Sequence, residues 1–353
     1  MNDIPDNKAE VSIIITAYNR TEFCLDAISS VLNQDKLANK CEIIVVKNFY
    51  KIEIDNLILA NNIISIFKDN CNLGEMLRTA ISAASGELLC FLDDDDLFNP
   101  TKIHHVIKVF REVEGLNYYH HSQDIRDVNM VPLKTIYTRN AHPGKLLVKA
   151  SEAEKHFYSL SKKHILLSSF FFNLSSITIR KEIIMEKLDD LSQIVTHPED
   201  FMFFAALTYN EKSVLLHENL NLTIYRSHDS LSNIQIGSKT SILDRKKNLI
   251  EKDLKSTYLI LKMCSGHRNL ESILKMRISY ENYIYAVLTK NKTALLKEFR
   301  YLALKNGLGT VIRRPISFYV GTPVLCFAII LASHSDSSSI VYRIVDEFIT
   351  KIL

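Results

Sequence analysis

The sequence predicts an α/β fold built on a parallel sheet, and two observations carry this prediction. Short β-branched or apolar runs alternate, in the first hundred residues, with segments whose apolar residues recur at helical spacing. Polar and acidic residues follow directly after these runs, where open α/β sheets bind their ligands. We therefore expect a Rossmann-like domain with a site at the carboxyl edge of its sheet.

Strands and helices are predicted to alternate along the first part of the chain. Three unbroken β-branched or apolar runs predict buried strands, over residues 11–16, 41–46 and 87–92. Two amphipathic segments predict the helices between them, over residues 21–33 and 74–85. Residues 118–174 are irregular in pattern, and we expect loops and short strands around an acceptor site there.

The last third of the chain has a different composition. It is rich in Lys, Glu and Leu after Ser232 and predicts helices over residues 243–263, 270–288 and 292–304. We expect an α/β domain over residues 1–235 and a helical C-terminal region over residues 236–353.

Composition and charge favour some classes of protein over others. The chain has 353 residues, 47% of them hydrophobic and 24% charged, as in an ordinary globular protein. The net charge of +3 gives no general attraction to nucleic acid, and we expect no such partner. The six cysteines form no CxxC pair, and the first ten residues lack the features of a secretory signal. These observations predict a cytoplasmic protein.

One apolar stretch, residues 318–333, bears on membrane contact. It follows Arg313 and Arg314 but is interrupted by Gly321 and Pro323, and it is shorter than the roughly 20 residues of a spanning helix. We expect a buried or interfacial helix, with a single membrane span as the alternative. An interfacial helix would give the C-terminal region a peripheral contact with the inner face of the membrane.

The position of the first glycine excludes two common nucleotide sites. The chain has no glycine before Gly74, so the turn after the first strand is no glycine-rich phosphate cradle. Dinucleotide-dependent dehydrogenases and P-loop kinases are therefore disfavoured.

Four adjacent aspartates, Asp93, Asp94, Asp95 and Asp96, follow the third predicted strand. Two carboxylates about 5 Å apart repel by roughly 3 kcal/mol at an effective dielectric of 20, and a cation would relieve this repulsion. An all-oxygen set of ligands suits Mg²⁺ or Mn²⁺. The alternative is a solvated acidic turn before a helix that starts near Asn99 and Pro100.

Three sequence blocks resemble the family-2 glycosyltransferases: residues 11–20 (VSIIITAYNR), 72–86 (NLGEMLRTAISAASG) and 87–96 (ELLCFLDDDD). The resemblance implies the single-domain GT-A fold and an inverting transfer from a nucleoside diphosphate sugar. It also implies that the first turn and the first aspartates contact the donor, while the later aspartates hold the metal. We assign donor binding to Ala17, Tyr18, Asn19, Arg20, Asn48, Arg78, Asp93 and Asp94, and metal binding to Asp95, Asp96 and His228.

A later pair of segments extends the resemblance. His197-Pro-Glu-Asp-Phe201 resembles the family's Glu-Asp element, and residues 225–232 (YRSHDSLS) resemble its arginine-histidine segment. By this resemblance Asp200 is the catalytic base, Glu199 supports it and His228 completes the metal site. From the residues alone, Asp200 could instead cap a helix, and a lone histidine is more often a surface group than a ligand.

The chain departs from the family after the second strand. The family usually has an acidic pair there that contacts the base, whereas this chain has Lys47 and Asn48. Asn48 could bind a base edge, Lys47 could meet phosphate, and Phe49 or Tyr50 could stack.

We therefore expect a metal-dependent hexosyltransferase, with a UDP-sugar as the first donor to consider. Its acceptor would be a hydroxyl of a glycan or of a lipid-linked molecule, as in surface polysaccharide or glycan assembly. The alternatives are a sugar nucleotidyltransferase and a catalytically impaired module that binds cations or nucleotides.

Overall fold

The computed structural model describes residues 9–35, 41–133, 144–153, 173–228 and 239–291, with the short stretches 293–295, 297–298 and 301. The chain divides into two compact units: Met1–His228 with Lys255–Ile273, and Asp229–Leu254 with Leu274–Leu353. The apolar stretch 318–333 and much of the predicted helix 292–304 lie outside the described residues. The domain boundary near residue 235 stays a prediction.

The described part of the first unit is built on one mixed sheet. Its strands are β1 (Val11–Ala17), β2 (Cys41–Lys47), β3 (Ile64–Phe67), β4 (Leu88–Asp93), β5 (Leu97–Phe98), β6 (Leu116–Asp127), β7 (Lys145–Lys149), β8 (Ile177–Arg180) and β9 (Val214–Ser227). Their order is β3-β2-β1-β4-β8-β6-β9-β5, with β7 paired to β9. The strands β3, β2, β1 and β4 run parallel, as predicted for β1, β2 and β4, whereas β3 was not predicted. Strand β8 then pairs antiparallel with both β4 and β6.

Helices connect and cover the strands. They are α1 (Cys24–Leu32), α2 (Ile52–Ala60), α3 (Leu73–Ala83), α4 (Lys102–Glu112), α5 (Glu182–Met185), α6 (Leu188–Ser192) and α7 (Pro198–Tyr209), followed by α8 (Lys239–Met263) and α9 (Arg268–Leu288). The predicted helices over 21–33 and 74–85 correspond to α1 and α3, and those over 243–263 and 270–288 to α8 and α9. None of the helices in the described residues is both long and apolar enough to cross a bilayer.

Burial explains why the first strands were visible in the sequence. All seven residues of β1 are buried, because β2 and β4 flank the strand and helices cover the sheet. Such a strand has no polar face and reads as an unbroken apolar run. The apolar side of α1 packs into the same core through Cys24, Ala27, Ile28 and Val31.

The prediction of loops and short strands from residue 118 onward was wrong for β6. This strand has 12 residues and pairs with β8 on one side and β9 on the other. It buries the polar residues Asn117, His120 and His121, so neither an apolar run nor a simple alternation marks it. Pairing with distant strands, rather than local pattern, determines its structure.

Candidate active site

The carboxyl ends of β1 and β4 bring the first turn and the aspartates together. The two strands are parallel neighbours, and Thr16 lies opposite Asp93 in the register. The turn at Tyr18–Arg20 therefore lies beside Asp94 and Asp95.

Arg20 lies at the centre of this group. Its Nη2 is 2.5 Å from Asp94 Oδ1 and its Nη1 is 2.6 Å from Asp95 Oδ2. The same Nη1 is 3.1 Å from Nε2 of His228, which follows the end of β9. That Nε2 lies 2.7 Å from Asp95 Oδ2. One guanidinium thus links two of the aspartates to the histidine that the sequence assigned to the metal.

Asp96 is held from two sides. Its Oδ2 accepts a hydrogen bond from Asn173 Nδ2 at 2.7 Å, and its Oδ1 accepts one from the main-chain N–H of Arg226 at 3.1 Å. Its side chain is buried, whereas Asp95 is half-buried. Asp96 therefore ties β9 to the end of β4, and Asp95 is the more accessible of the two carboxylates.

Arg226 packs against Phe23, whose ring lies next to the ring of His228. Its side chain is buried, and its Nη2 is 2.9 Å from Asp26 Oδ2 on α1. The guanidinium carbon lies 4.2 Å from the centre of the Phe23 ring, and that ring centre is 5.4 Å from the centre of the His228 ring. A cation–π contact and an ion pair therefore fix the end of β9 against the start of α1. No role for Arg226, Asp26 or Phe23 was predicted from the sequence.

The electrostatics of the aspartates favour added positive charge. Burial raises the pKa of Asp93 well above its usual range, and the charges of Asp95, Asp96 and Asp94 raise it further. Burial also raises the pKa of Asp94 and of Asp96 to about 7, although the nearby Arg20 partly opposes the rise at Asp94. The cost of ionising several close carboxylates falls when a cation lies between them.

The donor atoms fit a hard divalent cation. Asp93, Asp95 and Asp96 each offer one carboxylate oxygen, and these oxygens lie within 4.8 Å of one another. The guanidinium of Arg20 already places a positive charge against Asp95, as a stand-in for an ion. Oxygen ligands suit Mg²⁺ or Mn²⁺, and an imidazole can join them. Asp93, which the sequence assigned to the donor, is thus also placed to bind the ion.

Glu199 and Asp200 lie in the first turn of α7. His197 holds the N-cap position with φ 54°, so Asp200 is inside the helix and is not its cap. Glu199 Oε1 is 3.0 Å from His197 Nδ1, and Asp200 is 5% exposed. Burial and the neighbouring aspartates raise the pKa of Asp93, and the charge of Glu199 adds to this rise.

The end of β2 differs from what its sequence suggested. Lys47 is 2% exposed; its Nζ lies 2.8 Å from Asp55 Oδ1 and donates to the Phe49 carbonyl oxygen at 2.8 Å. A buried and paired ammonium is not available to a phosphate. Tyr50 stacks on Phe67, with ring centres 4.8 Å apart, and Tyr50 is largely exposed.

Arg78 has partners of its own on α3. Its Nη2 is 2.7 Å from Oε1 of Glu75, which also pairs with Lys68 at 2.9 Å. These charges hold the pKa of Glu75 at about 2. The structure therefore places Arg78 in an ion-pair cluster next to the loop after β3, and its role in donor binding stays a prediction.

Part of the chain is similar to known glycosyltransferases. Residues 12–171 match the model of the family described as Glycosyl transferase family 2. An uncharacterized glycosyltransferase of Nostoc sp. is 31% identical over 126 residues, which are 34% of this chain and 38% of that protein. One from Haemophilus influenzae is 24% identical over 226 residues, 64% of this chain and 70% of that protein. The match to the Nostoc relative thus spans well under half of its length.

Solved structures show the same fold. The crystal structure of residues 1–349 of S. aureus TarS, in complex with UDP-GlcNAc, superposes with a TM-score of 0.50. The two sequences are 12% identical, and the match covers 84% of this chain and 92% of that one. The Rossmann-like GT-A fold predicted from the sequence is confirmed.

Proposed function

Because residues 12–171 match the model of glycosyl transferase family 2, we propose that this protein moves a sugar from a nucleoside diphosphate donor to an acceptor hydroxyl. The observation that carries the proposal is the joining of Arg20, Asp94, Asp95 and His228 at the carboxyl edge of the sheet. This edge is where a parallel α/β sheet binds its ligand.

The metal belongs among the carboxylates at this edge. Asp95 and Asp96, with His228 and the neighbouring Asp93, would hold Mg²⁺ or Mn²⁺. When bound, the ion supplies the positive charge that stabilises a departing diphosphate. Asp96 keeps its two hydrogen bonds to Asn173 and Arg226 and so fixes the geometry around Asp95.

Asp200 is the proposed base. It takes the proton of the acceptor hydroxyl while the acceptor oxygen bonds to the anomeric carbon and the bond from that carbon to the diphosphate breaks. Attack from the face opposite the leaving group inverts the configuration. Glu199 lies one residue earlier, hydrogen-bonded to His197, and orients the first turn of α7.

The donor is proposed to lie along the turn Ala17–Arg20 and against Asn48. Asn48 hydrogen-bonds to Asn19 in the turn after β1, whereas Lys47 is buried and gives the base no charged contact. A UDP-sugar is the donor to test first. The acceptor is proposed to be a glycan or a lipid-linked molecule in surface polysaccharide assembly.

A lipid-linked acceptor suits a protein held at the inner membrane face by its C-terminal region. The basis is the sequence alone, through Arg313, Arg314 and the apolar stretch after them. Co-sedimentation with anionic vesicles tests this point. Equal binding by the full chain and by a chain ending at residue 314 would reject it.

The transfer itself is tested with a panel of UDP-, GDP-, CDP-, dTDP- and ADP-sugars in the presence of Mn²⁺. We expect release of a free nucleoside diphosphate and a product of inverted anomeric configuration. Release of pyrophosphate on incubation with a sugar phosphate and a nucleoside triphosphate would instead identify a nucleotidyltransferase. Cation and nucleotide binding with no turnover of any donor would identify a binding module.

A further inference from the structure

Arg20 provides positive charge at the place where the proposed cation provides it. We propose that the two exchange places: the Arg20 guanidinium neutralises Asp94 and Asp95 in the free protein and moves to the donor diphosphate when the cation binds. This inference rests on the proposed function, which supplies both the cation and the diphosphate. It makes Arg20 a positioning residue that couples the binding of the two.

Three atoms form the basis for this exchange. Arg20 Nη1 and His228 Nε2 both lie against Asp95 Oδ2, at 2.6 and 2.7 Å, and they are 3.1 Å from each other. A divalent ion bound by Asp95 and His228 would need the same carboxylate oxygen and the same imidazole nitrogen. Its bonds of about 2.0 to 2.2 Å leave no room for Nη1 at these atoms.

Repulsion between like charges also prevents the guanidinium and the cation from lying at Asp95 together. A guanidinium and a divalent ion at the same carboxylate oxygen would repel each other strongly, because like charges a few ångströms apart interact unfavourably even at a protein surface.

Arg20 is free to move, whereas its carboxylate partners are not. Its side chain is 40% exposed, while the side chain of Asp94 is 3% exposed. The guanidinium can then turn toward the open edge of the sheet, where its planar donor groups match a diphosphate.

The exchange makes cation and nucleotide binding cooperative. A cation that binds alone must displace Arg20 and leave it without an anionic partner. A cation that arrives with a nucleoside diphosphate gives Arg20 a new partner at the same time. By linkage, each ligand then raises the affinity for the other by the same factor.

The test is Mn²⁺ binding, followed by the paramagnetic resonance signal of free Mn²⁺. Without nucleotide, Arg20→Gln should bind Mn²⁺ about tenfold more tightly than the wild type, equivalent to about 1.4 kcal/mol. Arg111→Gln is the matched control, since it removes an exposed arginine on α4 that pairs with Glu10 at 2.7 Å. It should bind Mn²⁺ as the wild type does. Added UDP or GDP should raise the Mn²⁺ affinity of the wild type more than that of Arg20→Gln.

The outcomes separate this inference from the proposed function. Equal or weaker Mn²⁺ binding by Arg20→Gln would overturn the exchange and leave the sugar transfer, which is assayed separately, untouched. Absence of Mn²⁺ binding in both proteins would overturn the cation site and the exchange together. Arg20→Lys covers the case in which Arg20→Gln fails to fold: it keeps the charge but cannot bridge Asp94 and Asp95, so it should still bind Mn²⁺ more tightly than the wild type.

Discussion

Asn19 and Asn48 exchange two hydrogen bonds across the ends of β1 and β2. The main-chain N–H of Asn19 donates to Asn48 Oδ1 at 2.7 Å, and Asn48 Nδ2 donates to Asn19 Oδ1 at 2.7 Å. Asn19 has φ 57°, a left-handed conformation that asparagine adopts more readily than most residues. Asn48 therefore fixes the turn that ends in Arg20.

Asn48→Ala should raise the KM for the donor about tenfold and change kcat little, because loss of the two bonds loosens a turn proposed for donor binding. Steady-state rates at saturating acceptor measure both constants. Asn61→Ala is the control, since its exposed side chain donates only to Leu57 O within α2, at 2.8 Å. A fall in kcat at unchanged donor KM would contradict the assignment of this turn to donor binding.

Gly74 packs closely against the backbone at Leu191 and Ile194. A Cβ added there would lie 2.1 Å from the Leu191 carbonyl oxygen and 2.5 Å from that of Ile194. Ala is normally the better helix former by about 1 kcal/mol. Here Gly74→Ala should instead lower the free energy of unfolding by about 3 kcal/mol, because backbone at the end of α6 must shift.

Urea unfolding measures this loss, and Gly144→Ala is its matched control. No atom lies within 4 Å of the Cβ that this change adds. Its effect should stay within about 0.5 kcal/mol, as for most surface substitutions. Equal effects of the two changes would mean that the packing of α3 on α6 is not as close as the structure has it.

Lys102 makes stability depend on pH in the alkaline range. Its side chain is fully buried, with Nζ 2.5 Å from Ser175 O and 3.2 Å from Thr223 Oγ1. Burial lowers its pKa from 10.5 to about 8, although nearby Cys90 and Asp96 oppose the shift. Between these values the unfolded chain binds more protons than the folded one, so stability should rise with pH from about 8 to 10.5.

Lys102→Met should remove this contribution. The free energy of unfolding of Lys102→Met minus that of the wild type should be about 3 kcal/mol larger at pH 7 than at pH 10.5. One pKa unit corresponds to about 1.4 kcal/mol. Free energies of unfolding at several pH values measure the difference. Lys108→Met, at a lysine that is 59% exposed on the same helix, should show no such trend. A parallel pH profile for Lys102→Met and the wild type would reject a depressed pKa.

Local sequence predicted the strands that are buried along most of their length. β1, β2 and β4 lie in the parallel half of the sheet, so each is an apolar run. β3 is also an apolar run, but it has only four residues, pairs with β2 and leaves Ile64 and Phe67 exposed, and it was not predicted. β6 was missed because its partners lie far away in the chain and supply the contacts for its buried polar residues.

The site residues also divide into those that short motifs identify and those that only the structure reveals. The aspartates, Arg20 and His228 stand in short motifs, and the structure brings them together as the motifs suggested. Asn173 and Asp26, which hold Asp96 and Arg226, are single polar residues in otherwise unremarkable sequence. Their roles arise only when distant segments meet, and one sequence contains no pattern for that.

The separate roles of Asp95 and Asp200 provide the last prediction. Asp95 Oδ2 lies within hydrogen-bond distance of both Arg20 and His228, so its carboxylate belongs to the charged part of the site. Asp200 lies in the first turn of α7, a different element of the chain. Asp95→Ala should abolish turnover and weaken donor binding, whereas Asp200→Asn should lower kcat by about 10²- to 10⁴-fold with donor affinity unchanged.

Calorimetric titration of each variant with the donor found in the sugar-nucleotide panel, in the presence of Mn²⁺, separates these two effects. Asp244→Asn removes one negative charge from an exposed position on α8, where the side chain is 66% exposed, and should leave both rate and affinity as in the wild type. If Asp95→Ala and Asp200→Asn lose donor affinity equally, Asp200 acts with the donor and its charge, and the base must be sought elsewhere. If only Asp95→Ala loses affinity while both lose turnover, proton transfer and donor binding are carried by separate carboxylates, because a base contributes at the transition state and a donor ligand contributes before it.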